Sequence, residues 1–549
     1  MLFQRGMEPQ TAGQSNPGAR QLWPWLAVVA LLLLVGFIRV RLLAMPLERD
    51  EGEYAYCGQL LLQGIPPYEL AYNLKLPGTG FACAVGMALF GQTPTGLHLT
   101  LLLANSLTII FVFLLGRKLF GPMAAAAAAS AYAVMSLSMA LEGLATHANQ
   151  FVVLFAMPAT LLLLNALAAD KRRIFFYSGL LYGLAFLMKQ QGFCFFLFGL
   201  ALLGENARRK ILTPTFLQTV FIFGLGMLLP FALTCGYLAM AGVFWQFWFW
   251  TFSYSRAYVA TVTWPAGGTN LLNQLKANFD QFAGFWLILL LGIPLLLYRR
   301  RSRRSFSWLL FFTAFSFIGT AAGLYFRGHY FILSLPAFAL MTGASVESLR
   351  QIHPSFLPNV FKTLPLLLLG LGLSWFVFYE ETICFKSSPD GVVQNYYRWN
   401  PFLEARAVGN YVRANSKKTD RIAVFGSEPE VYFYAQRHSA TGYLYMYPMM
   451  EAQPYALRMQ RAMIHEVESS QPEYLVYFPQ YLSWLFRPQS DRTLLNWLDQ
   501  YSVAAYRPVG VIHVNAKGVT QYFWDDAVKT NPPDARGGDI VVFKRKTNS

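Results

Sequence analysis

Four carboxylates and an arginine stand within six residues, from Glu48 to Glu53, directly after an apolar run that extends from Leu22 to about Ala44. A carboxylate at a membrane surface is costly to keep there unless it serves a function. Aromatic and basic side chains follow before the next long apolar run: Tyr54, Tyr56, Tyr68 and Lys75. Carboxylates can accept protons and a lysine can bind an anion, so this order predicts a functional site at a membrane face.

The composition indicates which class of protein carries this cluster. Of the 549 residues, 55% are hydrophobic, 16% are aromatic and only 13% are charged, which is too apolar for a soluble chain of this length. A helix needs about 20 apolar residues to cross a bilayer, and we predict about eleven such spans. Their centres lie near Ala30, Ser106, Ala131, Leu161, Leu181, Phe198, Gly226, Leu290, Phe315, Phe338 and Gly370. The run from Phe81 to Phe90 is too short to span and is predicted to be an interfacial helix.

Basic residues predict which loops face the cytoplasm. Lys and Arg cluster in alternate short connections, at 117–118, 171–173, 208–210 and 299–304. The positive-inside rule assigns these connections to the cytoplasm. The other loops then lie outside, at 45–98, 142–150, 189–192, 241–280 and 326–329. They supply further candidate site residues: Glu142, His147, Asn149, Lys189, Arg327 and His329.

The same topology predicts three parts of the chain. Residues 1–21 form a disordered cytoplasmic tail, and residues 22–385 form a transmembrane catalytic domain whose first external loop is 45–98. Residues 386–549 form a small extracytoplasmic α/β domain, because short β-rich runs alternate with helical patterns. The predicted strands are Arg421–Phe425, Tyr474–Phe478, Val509–Val514 and Ile540–Lys544, and the predicted helices include Glu430–Arg437 and Thr493–Tyr501.

Charge and cysteine content argue against two other kinds of function. The net charge is +16, from 44 Lys and Arg against 28 Asp and Glu. Most of the clustered excess lies in loops that meet anionic lipid headgroups, so membrane lipid is an expected partner and nucleic acid is not. The five cysteines are scattered, without the spacing of a metal site or a disulfide framework.

The acid cluster also resembles a known family. The segment from Arg49 to Tyr56, followed by Lys75-Leu76-Pro77-Gly78, is similar to the first external loop of polyprenyl-phosphate-dependent membrane glycosyltransferases. These are the bacterial relatives of protein O-mannosyltransferases and of the lipid A aminoarabinose transferase. The resemblance extends through Leu115–Gly121, Gly183–Gln190 and His329–Pro336.

This resemblance implies a fold, a location and a reaction. The fold is the multi-span type C glycosyltransferase architecture, in the bacterial inner (plasma) membrane, with the active site and the C-terminal domain facing the periplasm or exterior. The donor is a sugar on a polyprenyl phosphate, and the products belong to the cell envelope, lipopolysaccharide among them. The family's catalytic aspartate maps to Asp50, with Glu51 as its neighbour. The aminoarabinose subgroup has Glu directly before the loop lysine, whereas this chain has Leu74, so aminoarabinose specificity is not implied.

The chemistry of such a transfer accounts for the residue types. Displacing a lipid phosphate from an anomeric carbon needs a base for the proton of the acceptor hydroxyl and cations for the departing phosphate. Asp50 and Glu51 could supply the base. The predicted contacts of the donor phosphate are Lys75, Lys189, Arg327 and His329. The predicted sugar and acceptor pocket contains Tyr54, Tyr56, Tyr68, Glu142, His147 and Asn149. We expect an inverting transfer to a hydroxyl of a lipid, glycan or protein, with no metal and no cofactor.

Other interpretations remain open. A transporter or flippase of lipid-linked sugars would also have many spans and buried charges, although no Gly/Pro-broken pair of helices recurs at matching places in two halves. A sensor or scaffold that uses the C-terminal domain would leave the acid cluster without a role. Asp50 and Glu51 could simply solvate a loop, and Lys75 could be an interfacial anchor.

Overall fold

The computed structural model describes residues 19–169, 171–207, 213–298, 303–351, 362–515, 519–534 and 538–546. Most of the predicted tail, residues 1–18, lies outside these ranges, as do the basic residues 208–210 and 299–301.

The first two thirds of the described chain are helical. The helices are α1 (Ala19–Arg41), α2 (Arg49–Leu62), α3 (Gly78–Phe90), α4 (Pro94–Phe120), α5 (Pro122–Met135), α6 (Ala148–Ala169), α7 (Arg172–Met188), α8 (Phe193–Ala207), α9 (Pro214–Met240), α10 (Phe244–Trp248), α11 (Ser255–Val259), α12 (Trp264–Phe279), α13 (Ala283–Tyr298), α14 (Arg303–Ala321), α15 (Leu335–Gln351) and α16 (Leu364–Tyr379). Short 3₁₀ helices occur at Met139–Leu141, Gln190–Gly192 and Gly328–Leu333.

Each predicted span centre lies in one of these helices, and the predicted interfacial run lies in α3. By length and composition, four helices in the described ranges could cross a membrane: Leu22–Arg41, Pro94–Phe120, Ala148–Ala169 and Pro214–Met240. A fifth crossing results if α12 and α13, which meet at 102°, count as one bent span. Several apolar helices are shorter, including α5, α14 and α16. The count of about eleven spans therefore stays a prediction.

The chain folds into two compact units, each built from segments that are distant in sequence. The first, here called the helical unit, contains the chain up to Val40, Leu101–Thr234 and Trp264–Lys386. The second, here called the mixed unit, contains Arg41–Thr100, Cys235–Thr263 and the chain from Ser387 onward. The predicted division into residues 1–21, 22–385 and 386–549 stays a prediction.

Small residues let the helices of the helical unit approach closely. A Cβ atom on Gly343 of α15 would lie 2.2 Å from the carbonyl oxygen of Ala124 in α5, and one on Gly284 of α13 would lie 2.4 Å from the Cα of Gly372 in α16. Such close approaches are typical of helix pairs in membranes, where close backbone packing replaces the hydrophobic driving force.

The C-terminal part of the mixed unit is an α/β domain. Its elements are α17 (Pro389–Tyr396), α18 (Phe402–Asn415), β1 (Arg421–Phe425), α19 (Glu430–Ala435), β2 (His438–Ser439), α20 (Tyr447–Met450), α21 (Ala456–Ser470), β3 (Tyr474–Tyr477), α22 (Tyr481–Trp484), α23 (Thr493–Ala505), β4 (Tyr506–Val514), β5 (Thr520–Trp524), α24 (Ala527–Thr530) and β6 (Ile540–Arg545).

Six strands form one mixed sheet in the order β2-β1-β3-β6-β4-β5. Strand β1 pairs in parallel with β2 and β3, and the remaining pairs are antiparallel. The four predicted strands are confirmed to within a few residues. Strands β2 and β5 were not predicted, because β2 has only two residues and the residues of β5 lie partly exposed at the sheet edge.

Candidate functional site

Asp50 is held at the start of a well-capped helix. Glu48 is the N-cap of α2: its carboxylate accepts a hydrogen bond of 2.7 Å from the backbone N–H of Glu51, and the Glu51 carboxylate accepts one of 3.3 Å from the Glu48 N–H. This capping box satisfies two backbone donors that the helix would otherwise leave free. It fixes Asp50 in the first turn of α2.

The loop after α2 fixes Lys75 through its backbone. The side-chain oxygen of Asn73 accepts a hydrogen bond of 2.7 Å from the Lys75 N–H, and the Tyr68 hydroxyl donates one of 2.7 Å to the Lys75 carbonyl. Tyr68 is itself fully buried, its ring packs edge-on against Phe247, and its φ is 69°. Tyr68 therefore holds the loop that presents the lysine.

Lys75, Asp50 and Glu53 form one buried charge cluster. The Lys75 ammonium lies 3.2 Å from Asp50 and 2.9 Å from Glu53, and 4.5 Å from the ring centre of Tyr54. Burial alone would lower the pKa of Lys75, but the two carboxylates raise it well above its usual value. The lysine is therefore a cation, placed directly beside the predicted base.

Two residues of this cluster were missed from the sequence. The Tyr445 hydroxyl, from the C-terminal domain, donates a hydrogen bond of 2.9 Å to Glu53 and lies 3.4 Å from Asp50. Glu53 could have been found, because it lies three residues after Asp50 and so shares its helix face. Nothing in the sequence marks Tyr445, which lies almost 400 residues away along the chain. The residue directly before Lys75 is Leu74, which has no carboxylate. The carboxylates beside Lys75 are instead those of Asp50 and Glu53 in α2.

Arg49 attaches the start of α2 to the C-terminal domain. Its guanidinium donates to the carbonyl of Ser427, to Asn400 at 3.1 Å and to Glu428 at 2.9 Å. Glu428 is fully buried and also accepts a hydrogen bond of 2.6 Å from the Ser483 hydroxyl. All three guanidinium nitrogens therefore have acceptors. Arg49 directly precedes Asp50, the predicted base, in the chain.

Glu51 and Tyr56 have other partners. The Glu51 carboxylate, 1% exposed, lies 3.1 Å from Nε2 of His98, whose Nδ1 is 2.8 Å from the carbonyl of Leu43. Tyr56 is buried, and its hydroxyl accepts a hydrogen bond of 2.7 Å from the N–H of Ser439. In the mixed unit, Asp50, Lys75 and Tyr54 are thus brought together, while Glu51 and Tyr56 make contacts of their own.

In the helical unit, three of the predicted pocket residues and His329 form a second cluster. Glu142 lies 2.8 Å from Nε2 of His147 and 3.0 Å from Nδ1 of His329. The two imidazole rings stack with centroids 4.1 Å apart, and Asn149 donates a hydrogen bond of 2.5 Å to the His329 carbonyl. Burial, with the neighbouring His147, lowers the pKa of His329 to about 3, so its ring is neutral at pH 7.

This second cluster differs chemically from a phosphate site. A neutral imidazole whose Nδ1 faces a carboxylate can accept or donate a hydrogen bond but supplies no charge for a phosphate. Imidazole and carboxylate are ligand types that transition metals accept, whereas a phosphate needs a positive charge that this cluster does not supply.

The two remaining predicted phosphate contacts are cations near tyrosine rings in the helical unit. The Lys189 ammonium lies 4.2 Å from the ring centre of Tyr330, and the Arg327 guanidinium lies 5.4 Å from that of Tyr325. Lys189 is buried and Arg327 is exposed. Their role in binding a donor phosphate stays a prediction.

Residues 75–234 match the family model described as dolichyl-phosphate-mannose-protein mannosyltransferase. A search of curated proteins gave no match.

Several solved structures match nearly the whole chain, including one of ArnT and one of AglB. ArnT from Cupriavidus metallidurans, crystallised with undecaprenyl phosphate, aligns with a TM-score of 0.60 at 13% identity, over 96% of this chain and 98% of that one. The archaeal oligosaccharyltransferase AglB from Archaeoglobus fulgidus, in complex with an inhibitory peptide and a dolichol-phosphate, aligns with a TM-score of 0.53 at 14% identity, over 96% of this chain and 76% of that one.

These matches bear on the predictions made from the sequence. They support the prediction of a glycosyltransferase that uses polyprenyl-phosphate-linked sugars, and they do not favour a transporter. The predicted resemblance is confirmed: residues 75–234 match the dolichyl-phosphate-mannose-protein mannosyltransferase family, and the chain has the type C glycosyltransferase fold of ArnT and AglB.

Proposed function

We propose that this chain is an inverting glycosyltransferase that moves one sugar from a polyprenyl monophosphate donor to an acceptor hydroxyl. The observation that carries the proposal is the contact of 3.2 Å between the carboxylate of Asp50 and the ammonium of Lys75. A base and a cation side by side are what the two halves of this reaction need, because one proton leaves the acceptor while negative charge grows on the phosphate.

The steps follow from these two groups. Asp50 accepts the proton of the acceptor hydroxyl as the hydroxyl oxygen attacks the anomeric carbon. The bond between that carbon and the phosphate oxygen breaks on the opposite side, so the configuration inverts. Lys75 binds the phosphate that leaves, and charge-assisted contacts of this kind are among the stronger polar interactions. The polyprenyl phosphates bound by ArnT and AglB support a donor of this class.

The acceptor and the location are proposed only in general terms. The acceptor is a hydroxyl of a lipid, glycan or protein, and the inhibitory peptide bound by AglB is one precedent for a protein-like acceptor. The active site and the C-terminal domain face the periplasm or exterior of a bacterial inner membrane, where a lipid-linked donor reaches them from the bilayer. Lys189 and Arg327 remain proposed cationic phosphate contacts, His329 remains one only as a neutral hydrogen-bonding group, and Glu142, His147 and Asn149 remain proposed pocket residues.

The test is transfer by the purified protein in lipid nanodiscs. Polyprenyl-phosphate-linked sugars are supplied with envelope lipids, glycans or peptides, and release of polyprenyl phosphate is measured. Asp50→Asn keeps the shape of the side chain but cannot accept the proton, so the rate should fall about 10²- to 10⁴-fold. Glu69→Gln, an exposed carboxylate in the same loop, is the matched control and should turn over like the wild type.

Two results would contradict the proposal. If Asp50→Asn turns over at the wild-type rate, Asp50 is not the base. If the wild type moves a fluorescent lipid-linked sugar across the membrane of vesicles but transfers the sugar to none of the acceptors, the chain is a transporter instead.

A further inference from the structure

Glu53 has no part in the mechanism above, yet it is the most deeply buried group of the charge cluster. Its side chain is 1% exposed and lies 2.9 Å from the Lys75 ammonium. The Tyr445 hydroxyl stands between the two carboxylates, 2.9 Å from Glu53 and 3.4 Å from Asp50. One hydroxyl can accept a proton from one neighbour while donating its own proton to another.

We propose that Tyr445 and Glu53 form a proton relay, which rests on the proposed function and takes the acceptor's proton from Asp50 to Glu53. Asp50 first gains the proton from the acceptor hydroxyl. It passes that proton to the Tyr445 oxygen as the Tyr445 O–H bond breaks and its proton bonds to the Glu53 carboxylate. Asp50 is again an anion, Tyr445 is again a neutral phenol, and Glu53 holds the proton.

The charges of the cluster explain why the proton should stop at Glu53. Before reaction, the single charge of Lys75 is shared by two carboxylates. During reaction the donor phosphodiester, with one negative charge, becomes a phosphomonoester that can carry two. Protonation of Glu53 removes one negative charge beside Lys75 as the phosphate gains one. The ammonium is thereby released from Glu53 to the leaving phosphate, and the net charge around it stays constant.

The surroundings of Glu53 make its carboxylate a stronger proton acceptor than an exposed one. Burial raises its pKa, Lys75 and the Tyr445 hydrogen bond oppose that shift, and Asp50 reinforces it. Within the mixed unit the titratable groups that face Glu53 are Asp50, Tyr54 and Cys57 on its own helix, Tyr68 and Lys75 on the loop, and Tyr445 on the C-terminal domain. Tyr445 itself stays a neutral phenol, because burial and the nearby carboxylates raise its pKa well above the usual value.

One distance in this relay is long. The 3.4 Å between Tyr445 and Asp50 exceeds an ordinary O–H···O hydrogen bond by roughly half an ångström. Hydrogen bonds used in catalysis are often long without substrate and shorten in the reacting complex. Phosphate binding to Lys75 would release Asp50 from the ammonium and allow that shortening.

The experiment compares Tyr445→Phe and Glu53→Gln with the wild type, using the donor that the transfer screen identifies and undecaprenyl phosphate as the binding probe. Both variants should lose about tenfold to a hundredfold in kcat, because neither can pass the proton on. Neither should bind undecaprenyl phosphate more weakly, and Glu53→Gln should bind it as well or better, since Lys75 loses a competing carboxylate. The wild-type rate should also depend non-linearly on the fraction of D₂O, because more than one proton moves, and the dependence should become linear in Tyr445→Phe.

The matched control is Tyr443→Phe. Tyr443 lies two residues away in the same segment, but its ring packs on Tyr72 and Trp250, so this variant should keep the wild-type isotope dependence. The relay is wrong if Tyr445→Phe keeps the wild-type kcat, or if it loses kcat and undecaprenyl phosphate binding to the same extent, which is the result of a purely structural role. Absence of transfer by the wild type with every donor would overturn the proposed function and the relay with it.

Discussion

Replacing Arg49 by alanine should destabilise the mixed unit strongly, and the structure allows the size of the effect to be worked out. The variant removes the guanidinium that contacts Ser427, Asn400 and Glu428. Glu428 is fully buried, so its carboxylate would remain without a cation. Removing one partner of a buried ion pair costs about 3–5 kcal/mol. Because the Arg49 side chain is 13% exposed, we expect a value near the lower end, about 3 kcal/mol.

The loss of stability in Arg49→Ala should depend on pH, because Glu428 and the nearby Glu430 are buried carboxylates. Burial and the neighbouring Glu428 raise the pKa of Glu430 well above its ordinary value. Burial also raises the pKa of Glu428, and the pairing with Arg49 opposes that rise. In Arg49→Ala the folded-state pKa of Glu428 should also rise further above its unfolded value. Such a group contributes stability below the unfolded pKa, and this contribution is lost as pH rises through the folded pKa. The deficit of the variant should therefore be largest at pH 8 and should shrink towards pH 5.

The assay is thermal unfolding in detergent, followed by tryptophan fluorescence at pH 8 and pH 5. A loss of about 3 kcal/mol corresponds to roughly 6–12 °C in Tm for a unit of this size. Arg49→Ala with Glu428→Gln should recover most of this loss, since glutamine is neutral and still accepts the hydrogen bond of Ser483. A Tm within about 2 °C of the wild type at both pH values, or no recovery in the double variant, would refute the account of Arg49 as a buried ionic anchor.

Three further predictions concern the site and its orientation. Lys75→Ala should weaken undecaprenyl phosphate binding more than Asp50→Asn does, measured by tryptophan quenching; equal binding by both variants would remove Lys75 as the phosphate contact. Transfer should persist in a chelator, because Lys75 already supplies positive charge beside the base; loss of transfer on chelation and its recovery with added divalent metal would instead require a metal site. In a cysteine-free background, Lys418→Cys should react with an impermeant thiol reagent added outside and Lys171→Cys should not; reversed labelling would place the C-terminal domain in the cytoplasm.

The fold was predictable from the sequence where local patterns decide it. Apolar runs of sufficient length predicted the helices that contain the eleven span centres, and alternating β-rich runs predicted four of the six strands, whereas the helices inside the predicted external loop 241–280 were not predicted. The number of true spans was not predictable in the same way, because apolar helices such as α5 and α16 are shorter than a bilayer crossing. Strand β5 was not predicted, because a sheet-edge strand with partly exposed residues has only a weak hydrophobic pattern.

The site was predictable only in part. The spacing of Asp50 and Lys75 in one loop, together with a family motif, was enough to predict that they act together, and their side chains are in contact. The partners of Glu51 and Tyr56 could not be read from the sequence, because His98 and Ser439 reach them through tertiary packing. Tyr445 was unpredictable for the same reason, since no local pattern records which residue of a distant domain faces a given helix.

The contact between α2 and the C-terminal domain has a consequence for domain exchange. Gly52 faces Glu430 so closely that a Cβ on Gly52 would lie 2.5 Å from the Cβ of Glu430, and Arg49 bonds to Ser427 and Glu428 in the turn that follows β1. Residues 387–549 are therefore not a separable module. A chimera that takes this domain from a relative should fold only if it also takes the first external loop, and the two segments should be inherited together even though the chain separates them by nearly three hundred residues.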